Sequence, residues 1–282
     1  MKTNRIIARL DIKGPNLVKG IHLEGLRVLG RPEAFARYYY ENGADELFFQ
    51  DVVASLYERN SLVDIISNTA KEIFIPLTVG GGIRTISDIN AVLRAGADKV
   101  CINTAAIKNP NFIKEAAKVF GSSTILISIE AIQQADGRYL AYTDNGREHT
   151  GVEVVEWAKR VEELGAGEVL ITSVDREGTG LGLDIDLIKQ ISEKISIPLI
   201  AHGGASDERN IEQTFKEAKP DAIALASILH YNVIRTLPSN VIGVEEGNTD
   251  FLKSGKAFSR INPTTIKSIK EFLNNNSVSV RL

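Results

Sequence analysis

Residues 75–89 read IPLTVGGGIRTISDI and residues 197–211 read IPLIAHGGASDERNI, so one stretch occurs twice, 122 residues apart (position 75 to position 197). Two further pairs keep nearly the same spacing. GADELFF from Gly43 matches GAGEVLI from Gly165, and ADKVCINTA from Ala97 matches PDAIALASI from Pro220. A fixed internal spacing is typical of a duplicated structural unit. We therefore expect two halves that are built alike.

Short β-branched runs alternate with segments of helical spacing along both halves. Eight runs predict strands buried on both faces, because they are nearly continuous in Ile, Val, Leu and Ala. They span residues 6–12, 46–52, 75–79, 99–103, 124–130, 168–173, 197–201 and 222–226. Such alternation is typical of a closed (β/α)8 barrel or of an open doubly wound sheet.

The repeat decides between these two folds. Two four-strand halves in register close naturally into one barrel, whereas an open sheet with an NAD site would need G-x-G-x-x-G after its first strand. Residues 11–16 read DIKGPN and lack that motif. The sequence therefore predicts an α/β protein with a single (β/α)8 (TIM) barrel domain over residues 1–282, built from two half-barrel repeats.

Composition excludes several classes of protein. The chain has 282 residues, a formal net charge of −3 and 43 % hydrophobic residues, which excludes global disorder and argues against a nucleic-acid groove or a polybasic membrane face. Cys101 is the only cysteine, and the four histidines show no ligand spacing, so we expect neither a disulfide nor a metal site. With no long apolar stretch, the sequence predicts a cytoplasmic globular protein without a cofactor.

Two carboxylates end matching strands of the two halves. Asp11 follows the first strand and Glu130 the fifth, and in such barrels the chemistry lies on the loops after the strands. Facing carboxylates at one barrel mouth are a candidate general acid and base. The alternative is a pair of solvated strand-end carboxylates.

Small-residue loops follow the third, fourth, seventh and eighth strands. Glycine lets backbone N–H groups approach an anion, and the following helix N-terminus favours negative charge. The residues concerned are Gly81, Gly82, Asn103, Thr104, His202, Gly203, Gly204, Ala226 and Ser227. Two such cradles on opposite sides of a barrel predict an elongated substrate with a phosphate at each end, although a lone Gly-Gly is more often only a tight turn.

The strand starts carry charges as well. Arg5 begins the first strand, Glu46 the second, Lys99 the fourth and Glu168 the sixth. Inward-pointing charges at the bottom of a barrel must pair, because the cost of desolvation is large. Physical reasoning alone leaves a structural salt-bridge plug and a functional gate equally open.

Several stretches are similar to one known family. RIIARLDIKG from Arg5, LVKG from Leu17, ENGADELFFQDVVAS from Glu41, IPLTVGGGI from Ile75, AGADKVCINTAA from Ala95, GAGEVLITSVDREGT from Gly165 and the terminal VSVRL resemble the cyclase (synthase) subunit of imidazole glycerol phosphate synthase. The resemblance implies a (β/α)8 barrel that takes ammonia from a glutaminase docked on its bottom face. The ammonia is added to a bisphosphorylated substrate at the top.

The resemblance also implies roles for individual residues. Asp11 would be the general acid/base, Lys19 a mobile-loop lysine, Asp51 an active-site carboxylate, and Glu130 would stand at the second catalytic position. Arg5, Glu46, Lys99 and Glu168 match the family's charged ammonia gate. The two phosphates would be held by the loop residues named above together with Gly178.

Four residues depart from the family's pattern. Glu130 and Glu177 replace aspartates, Arg9 stands where a small or thiol residue is usual, and His202 replaces a serine. One extra methylene displaces a carboxylate by roughly 1.5 Å, and a displacement near 1 Å can cost about 100-fold in rate. His202 is either a satisfied histidine or a new phosphate ligand, and we favour the ligand.

These departures resemble a branch of the family that is associated with acetamidino-sugar synthesis for surface polysaccharides. There, ammonia is passed to a downstream amidotransferase. The sequence favours this role over the cyclase of histidine biosynthesis, which remains the alternative. A third hypothesis is a non-catalytic scaffold that only activates the glutaminase.

The chain is longer than one barrel needs. The eighth strand ends near Ser227, and the last helix is expected to begin at Asn262–Pro263. Residues 231–261 would then form a long insertion after the eighth strand, where connections of about 2–6 residues are usual. We expect this insertion on the catalytic face, as a lid or a partner-docking element.

Overall fold

Eight parallel strands close into a barrel. In the computed structural model, which describes residues 3–54, 62–243 and 260–282, each strand pairs with two neighbours and the last pairs with the first. In barrel order they are β1 (Arg5–Lys13), β4 (Glu46–Asp51), β5 (Leu77–Gly80), β6 (Lys99–Ile102), β7 (Ile125–Gln133), β10 (Glu168–Ser173), β11 (Leu199–His202) and β12 (Ala222–Leu225). The predicted (β/α)8 barrel is confirmed, and each predicted strand overlaps one of these.

Helices surround the barrel. In the described residues they are α1 (Pro32–Glu41), α2 (Val63–Ala70), α3 (Ile86–Ala95), α4 (Thr104–Lys108), α5 (Asn111–Phe120), α6 (Val154–Glu163), α7 (Ile185–Ser192), α8 (Glu208–Glu217), α9 (Ser227–Thr236), α10 (Ser239–Ile242) and α11 (Ile266–Asn275). Along these ranges, every helix is too short or too polar to cross a bilayer.

Local sequence signals explain where helix α3 begins and ends. Thr85 and Asp88 form a capping box, in which the Asp88 N–H donates to Thr85 Oγ1 over 3.1 Å and the Thr85 N–H donates to the Asp88 carboxylate over 2.9 Å. Gly96 ends the helix with a φ of 117°, a conformation that favours glycine. The helix is therefore specified by its own sequence, and its buried face holds it against the barrel.

Two separate apolar layers hold the barrel together. The larger lies between the strands and the helices. The smaller, which we call the inner layer, fills the barrel itself and consists of Ile7, Phe48, Cys101, Leu126, Leu170, Ile200, Ala222 and Ala224. Every second residue of a barrel strand points inward, so Arg5, Ile7 and Asp11 of β1 all face the barrel axis. Ile7 belongs to the inner layer, which therefore lies between Arg5 at the strand start and Asp11 towards the strand end.

Two hairpins stand on the C-terminal end of the barrel at matching places in the two halves. β2 (Asn16–Ile21) and β3 (Glu24–Gly30) follow β1, and β8 (Tyr139–Thr143) and β9 (Glu148–Glu153) follow β7. β2 and β8 extend the barrel strands antiparallel, so that Asp11 lies opposite Val18 and Glu130 opposite Tyr142. Our sequence analysis did not predict these hairpins.

The C-terminal region differs from expectation at both ends of the predicted insertion. Residues 231–236 belong to α9, which follows β12 directly. The expected start of the last helix at Asn262–Pro263 is wrong: α11 begins at Ile266, because Thr265 caps it by accepting the Ser268 N–H over 3.0 Å. Residues 244–259 lie outside the described residues, so the position of the insertion on the catalytic face stays a prediction.

Candidate active site at the barrel mouth

Two cavities open at the C-terminal end of the barrel, which we call the mouth. The larger has a volume of about 460 Å³ and is lined by Asp51, Glu130 and the four predicted phosphate-binding residues of the first half, Gly81, Gly82, Asn103 and Thr104. The smaller is lined by Lys19 and the other six, Gly178, His202, Gly203, Gly204, Ala226 and Ser227. The fold thus gathers the predicted phosphate-binding residues into two groups, which we call the first and second cradles.

The two cradles share the same backbone construction. Gly81 and Gly203 have φ values of 101° and 99°, and a Cβ at either would overlap the carbonyl that ends a neighbouring strand, at Asp51 and Ser173 respectively. Only glycine combines an easily adopted positive φ with the absence of a Cβ. The duplication seen in the sequence therefore produces two equivalent glycine turns, although the cavity at the second measures only about 20 Å³.

Asp11 lies between two cations. Arg9 Nε donates to Asp11 Oδ1 over 2.9 Å, and Lys19 Nζ donates to Asp11 Oδ2 over 3.5 Å. Burial alone would raise the pKa of Asp11, but the charges of Arg9 and Lys19 outweigh it and hold the pKa well below its usual range. Asp11 is therefore a carboxylate at neutral pH.

Within the described residues, Glu130 is bound by a backbone N–H and not by a cationic side chain. Its Oε2 accepts the Gly146 N–H over 2.7 Å. Burial raises the pKa of Glu130 to about 7, although the Gly146 N–H and the charge of Arg9 offset part of the effect. At neutral pH, Asp11 is therefore available as a base and Glu130 as an acid. Different surroundings give two carboxyl groups different roles in this way.

Arg9 links the two halves of the mouth. Its Nη1 lies 3.3 Å from His202 Nδ1, and its guanidinium stands over the ring of Phe48, 5.5 Å from the ring centroid. Thr172 Oγ1 lies 3.2 Å from the same histidine nitrogen. Arg9 and His202 were each conspicuous in the sequence, but their contact joins residues 193 positions apart.

Lys19 reaches the mouth on hairpin β2–β3. It is 3 % exposed and pairs with Glu177 as well as with Asp11. The Glu177 carboxylate also accepts the Leu23 N–H over 2.9 Å, so it binds both the hairpin side chain and the hairpin turn. Sequence analysis noted Glu177 only as a departure from the family.

Asp51 ends strand β4. Its Oδ1 accepts the Val53 N–H over 3.0 Å, and its side chain is 4 % exposed at the edge of the larger cavity. Across the described ranges, no three or more His, Cys, Asp or Glu side chains are grouped as metal ligands.

The predicted gate residues form a ring of alternating charge at the opposite end of the barrel. Arg5 Nη1 lies 2.6 Å from Glu46 Oε1, and Lys99 Nζ lies 3.2 Å from Glu46 and 3.1 Å from Glu168. Arg5 also pairs with Glu168 and closes the ring. The inner layer lies between this charged ring and the mouth.

Sequence analysis missed Gly146, although a signal was present. Asp144, Asn145 and Gly146 all have positive φ values, between 53° and 76°, in the turn of hairpin β8–β9. An Asn-Gly pair between alternating runs is a strong hairpin signal. Following it would have placed a backbone donor beside Glu130.

Residues 5–235 match the family model described as histidine biosynthesis protein. The imidazole glycerol phosphate synthase subunit HisF of Legionella pneumophila is 58 % identical over 204 residues, covering 72 % of this chain and 96 % of that protein. This chain belongs to the HisF family. HisF subunits of Alkaliphilus metalliredigens and Methanocaldococcus jannaschii are 47 % and 46 % identical, covering 83 % and 82 % of this chain and 93 % and 92 % of those proteins.

The HisF family comprises cyclase subunits of imidazole glycerol phosphate synthase, as the sequence motifs indicated. The family model ends at residue 235, so α9 completes the matched region. Residues 236–282, which include all of the predicted insertion except residues 231–235, are not part of that match.

Proposed function

We propose that this HisF-family chain is the cyclase subunit of a glutamine-dependent imidazole glycerol phosphate synthase. It would receive ammonia from a glutaminase subunit and add it to a bisphosphorylated substrate at the barrel mouth. One observation carries this proposal: the same barrel has a charged ring at one end, and at the other it has two cradles and two carboxyl groups, Asp11 and Glu130, of different pKa.

The mouth supplies the groups that such a reaction needs. Asp11, held ionised by its two cations, would accept a proton from the attacking nitrogen. Glu130, whose pKa is raised to about 7, would donate one to a leaving group. The two cradles would fix the substrate by its phosphates and so hold the reacting atoms between the carboxyls.

The charged ring supports a glutaminase partner at the N-terminal end of the barrel. Its members are paired with one another and keep part of their surface open, 24 % for Arg5 and 20 % for Lys99. A partner that delivers ammonia there would place it directly below the inner layer. The cradles remain free to hold substrate at the other end.

One observation favours a second candidate function. Arg9 donates to Asp11 from the centre of the mouth, so the carboxylate is engaged with a residue that the family pattern does not carry. In this reading, ammonia is passed on to a downstream amidotransferase for acetamidino modification of a surface-polysaccharide sugar. The barrel would still need its glutaminase.

Turnover by the purified complex tests the first proposal. The chain and its glutaminase, given glutamine and the bisphosphorylated substrate, should form imidazole glycerol phosphate, and Asp11→Asn should lower kcat at least about 100-fold because a proton acceptor is lost. The exposed Asp136→Asn is the matched control and should leave kcat unchanged. Glutaminase stimulation without product would contradict the proposal and favour the second candidate.

Lys99→Ala tests the ring separately. We expect it to reduce glutamine-supported turnover while turnover supported by added ammonium salt is retained, because only the first requires passage from the partner. Equal loss of both would contradict a role for the ring in ammonia delivery. If neither Asp11→Asn nor Glu130→Gln affects pathway flux, the scaffold hypothesis replaces catalysis.

A further inference from the structure

His202 is held by a partner that can only donate. Arg9 Nη1 lies 3.3 Å from His202 Nδ1, and a guanidinium has five N–H donors but no acceptor. A hydrogen bond here therefore requires a lone pair on Nδ1. Thr172 Oγ1 lies 3.2 Å from the same nitrogen and, with Nδ1 unprotonated, its hydroxyl can share that lone pair only as a second donor.

The ring proton of a neutral imidazole is consequently on Nε2. The doubly protonated form is disfavoured at the same time. Burial and the positive charge of Arg9 hold the pKa of His202 well below its usual range. His202 is thus neutral near pH 7, with one acceptor edge facing Arg9 and one donor edge.

The donor edge belongs to the second cradle. His202 ends strand β11, is 4 % exposed, and lines the smaller cavity together with Gly203, Gly204 and Ser227. A ligand oxygen in this cavity would meet an N–H whose direction is already fixed.

We propose that Arg9 fixes the tautomer of His202, so that its Nε2–H is a preset donor to a phosphate oxygen in the second cradle. This inference rests on the proposed function, because it takes the cradle to be a phosphate site. It makes His202 a binding residue and Arg9 a positioning residue. It also explains why an arginine and a histidine occur together at positions where the family pattern has smaller side chains.

The tautomer can be measured without any activity assay. In the uniformly ¹⁵N-labelled chain, the His202 ring signals are those lost in His202→Gln, and at pH 7.5 we expect a protonated Nε2 and an unprotonated Nδ1. Inorganic phosphate should shift the Nε2 signal to saturation. A protonated Nδ1, or an Nε2 that is silent while the Gly204 amide responds, would overturn the inference and leave the proposed function standing.

Glutamine and asparagine, which carry the same amide group on side chains of different length, test whether His202 donates from Nε2. His202→Gln places an amide N–H near the position of Nε2, whereas His202→Asn places it near Nδ1. We expect phosphate affinity in the second cradle to stay within about 3-fold for glutamine and to fall about 3- to 10-fold for asparagine, the effect of one lost hydrogen bond. Equal affinities in the two variants would contradict a donor at Nε2.

Arg9→Met tests the positioning role. Without the guanidinium, we expect the ¹⁵N spectrum of His202 to show both tautomers, and the phosphate affinity to fall about 2-fold when they are equally populated, because the apparent Kd varies inversely with the fraction that carries Nε2–H. Arg9→Lys, which keeps a pure donor, should preserve the Nε2–H form. An unchanged tautomer in Arg9→Met would assign its control to Thr172 and overturn the role of Arg9. If phosphate moves no amide in either cradle, the proposed function fails with the inference.

Discussion

Asp11 lies between Arg9 and Lys19, whereas Glu130 accepts one backbone N–H from Gly146. Both residues lie near the C-terminal ends of barrel strands, Asp11 on β1 and Glu130 on β7, at matching places in the two half-barrels. Their ionisation nevertheless differs, because the duplication repeated the strand ends and not the side chains around them. The chemistry of each carboxyl is therefore set by its neighbours.

Glu130→Gln should stabilise the protein above neutral pH. The folded-state pKa of Glu130 is raised to about 7, so wild-type stability decreases between the unfolded-state pKa near 4.5 and pH 7, as the buried group must ionise. We expect the variant to gain on the order of 2 kcal/mol in free energy of unfolding at pH 8 and nothing at pH 4. Urea unfolding at both values measures this.

Asp11→Asn provides the control of opposite sign. The folded-state pKa of Asp11 is lowered, so its contribution is present above the unfolded-state value near 3.8 and is lost as the pH falls. The variant leaves the buried Arg9 without its carboxylate and Lys19 with Glu177 alone, and should be destabilised by roughly 3 kcal/mol at pH 7. A destabilised Glu130→Gln at pH 8 would show that Glu130 is buried as a favourable anion.

At the residue scale, the sequence identifies residues better than it identifies contacts. The alternation along β1 could place Arg9 and Asp11 on one face, because they are two residues apart. The contact of Arg9 with His202 depends on barrel closure, which brings β1 next to β12, whose other neighbour is β11. No local pattern encodes that distance.

Several contacts fasten hairpin β2–β3 to the loop after β10. Lys19 pairs with Glu177, the Leu23 N–H donates to the same carboxylate over 2.9 Å, and His22 Nδ1 lies 2.8 Å from the Val174 carbonyl oxygen. The His22 N–H also donates to the Glu177 carbonyl oxygen over 2.9 Å, so three of these contacts end on one residue and two on its side chain. Glu177 therefore holds the element that carries Lys19.

Glu177→Gln should loosen this hairpin. An amide keeps the acceptor for Leu23 but loses the charge that stabilises the buried Lys19, so we expect faster hydrogen exchange at Leu23 and along residues 16–30, by about 10-fold or more. Exchange measured by mass spectrometry gives the result. Glu24→Gln, on the same hairpin, removes only an exposed pair with Arg147 and should change little. Equal exchange in the two variants would show that Glu177 does not fasten the hairpin.

The two hairpins differ in how well the sequence signals them. β8–β9 turns through Asn145–Gly146, a pair that favours the positive φ values found there. β2–β3 turns through His22 and Leu23, which have φ values of 54° and 62°; histidine is tolerated in that region, but leucine rarely adopts it. Contacts with Glu177 and Val174 hold this second turn, so only the folded mouth explains it.

The N-terminal end of the barrel, where the charged ring lies, also exposes an aromatic side chain. Phe74 lies between α2 and β5, is 82 % exposed, and packs edge-on against Tyr40 with ring centroids 6.1 Å apart. Aromatic residues dominate the binding energy of many interfaces. The proposed glutaminase would cover this side chain.

Phe74→Ser should therefore weaken the complex with the glutaminase by about 10-fold or more in Kd, because the loss of a buried aromatic anchor costs over 1 kcal/mol. Isothermal titration of the two purified subunits measures the change. Leu181→Ser is the matched control, since Leu181 is 47 % exposed at the mouth end and should leave Kd unchanged. A weaker complex with Leu181→Ser alone would place the partner at the mouth.

At the scale of the molecule, the repeat was sufficient to predict the barrel. Strands and helices recur at one spacing, and closure follows from two equal halves. The C-terminal end was harder, because Asn262–Pro263 has the residues of a helix start while Thr265 forms the actual cap. Two adjacent capping signals compete there, and packing of α11 against the barrel decides between them.

The inner layer also determines which form of nitrogen can travel along the barrel axis. An ammonium ion would have to shed its hydration shell among eight apolar side chains, at a cost of many kcal/mol, whereas uncharged NH₃ loses little. Cys101 adds no charge there, since burial raises the pKa of its thiol to about 12. Ammonia that crosses the inner layer would therefore reach the mouth as uncharged NH₃. Its lone pair is free, so it can act as a nucleophile without first losing a proton.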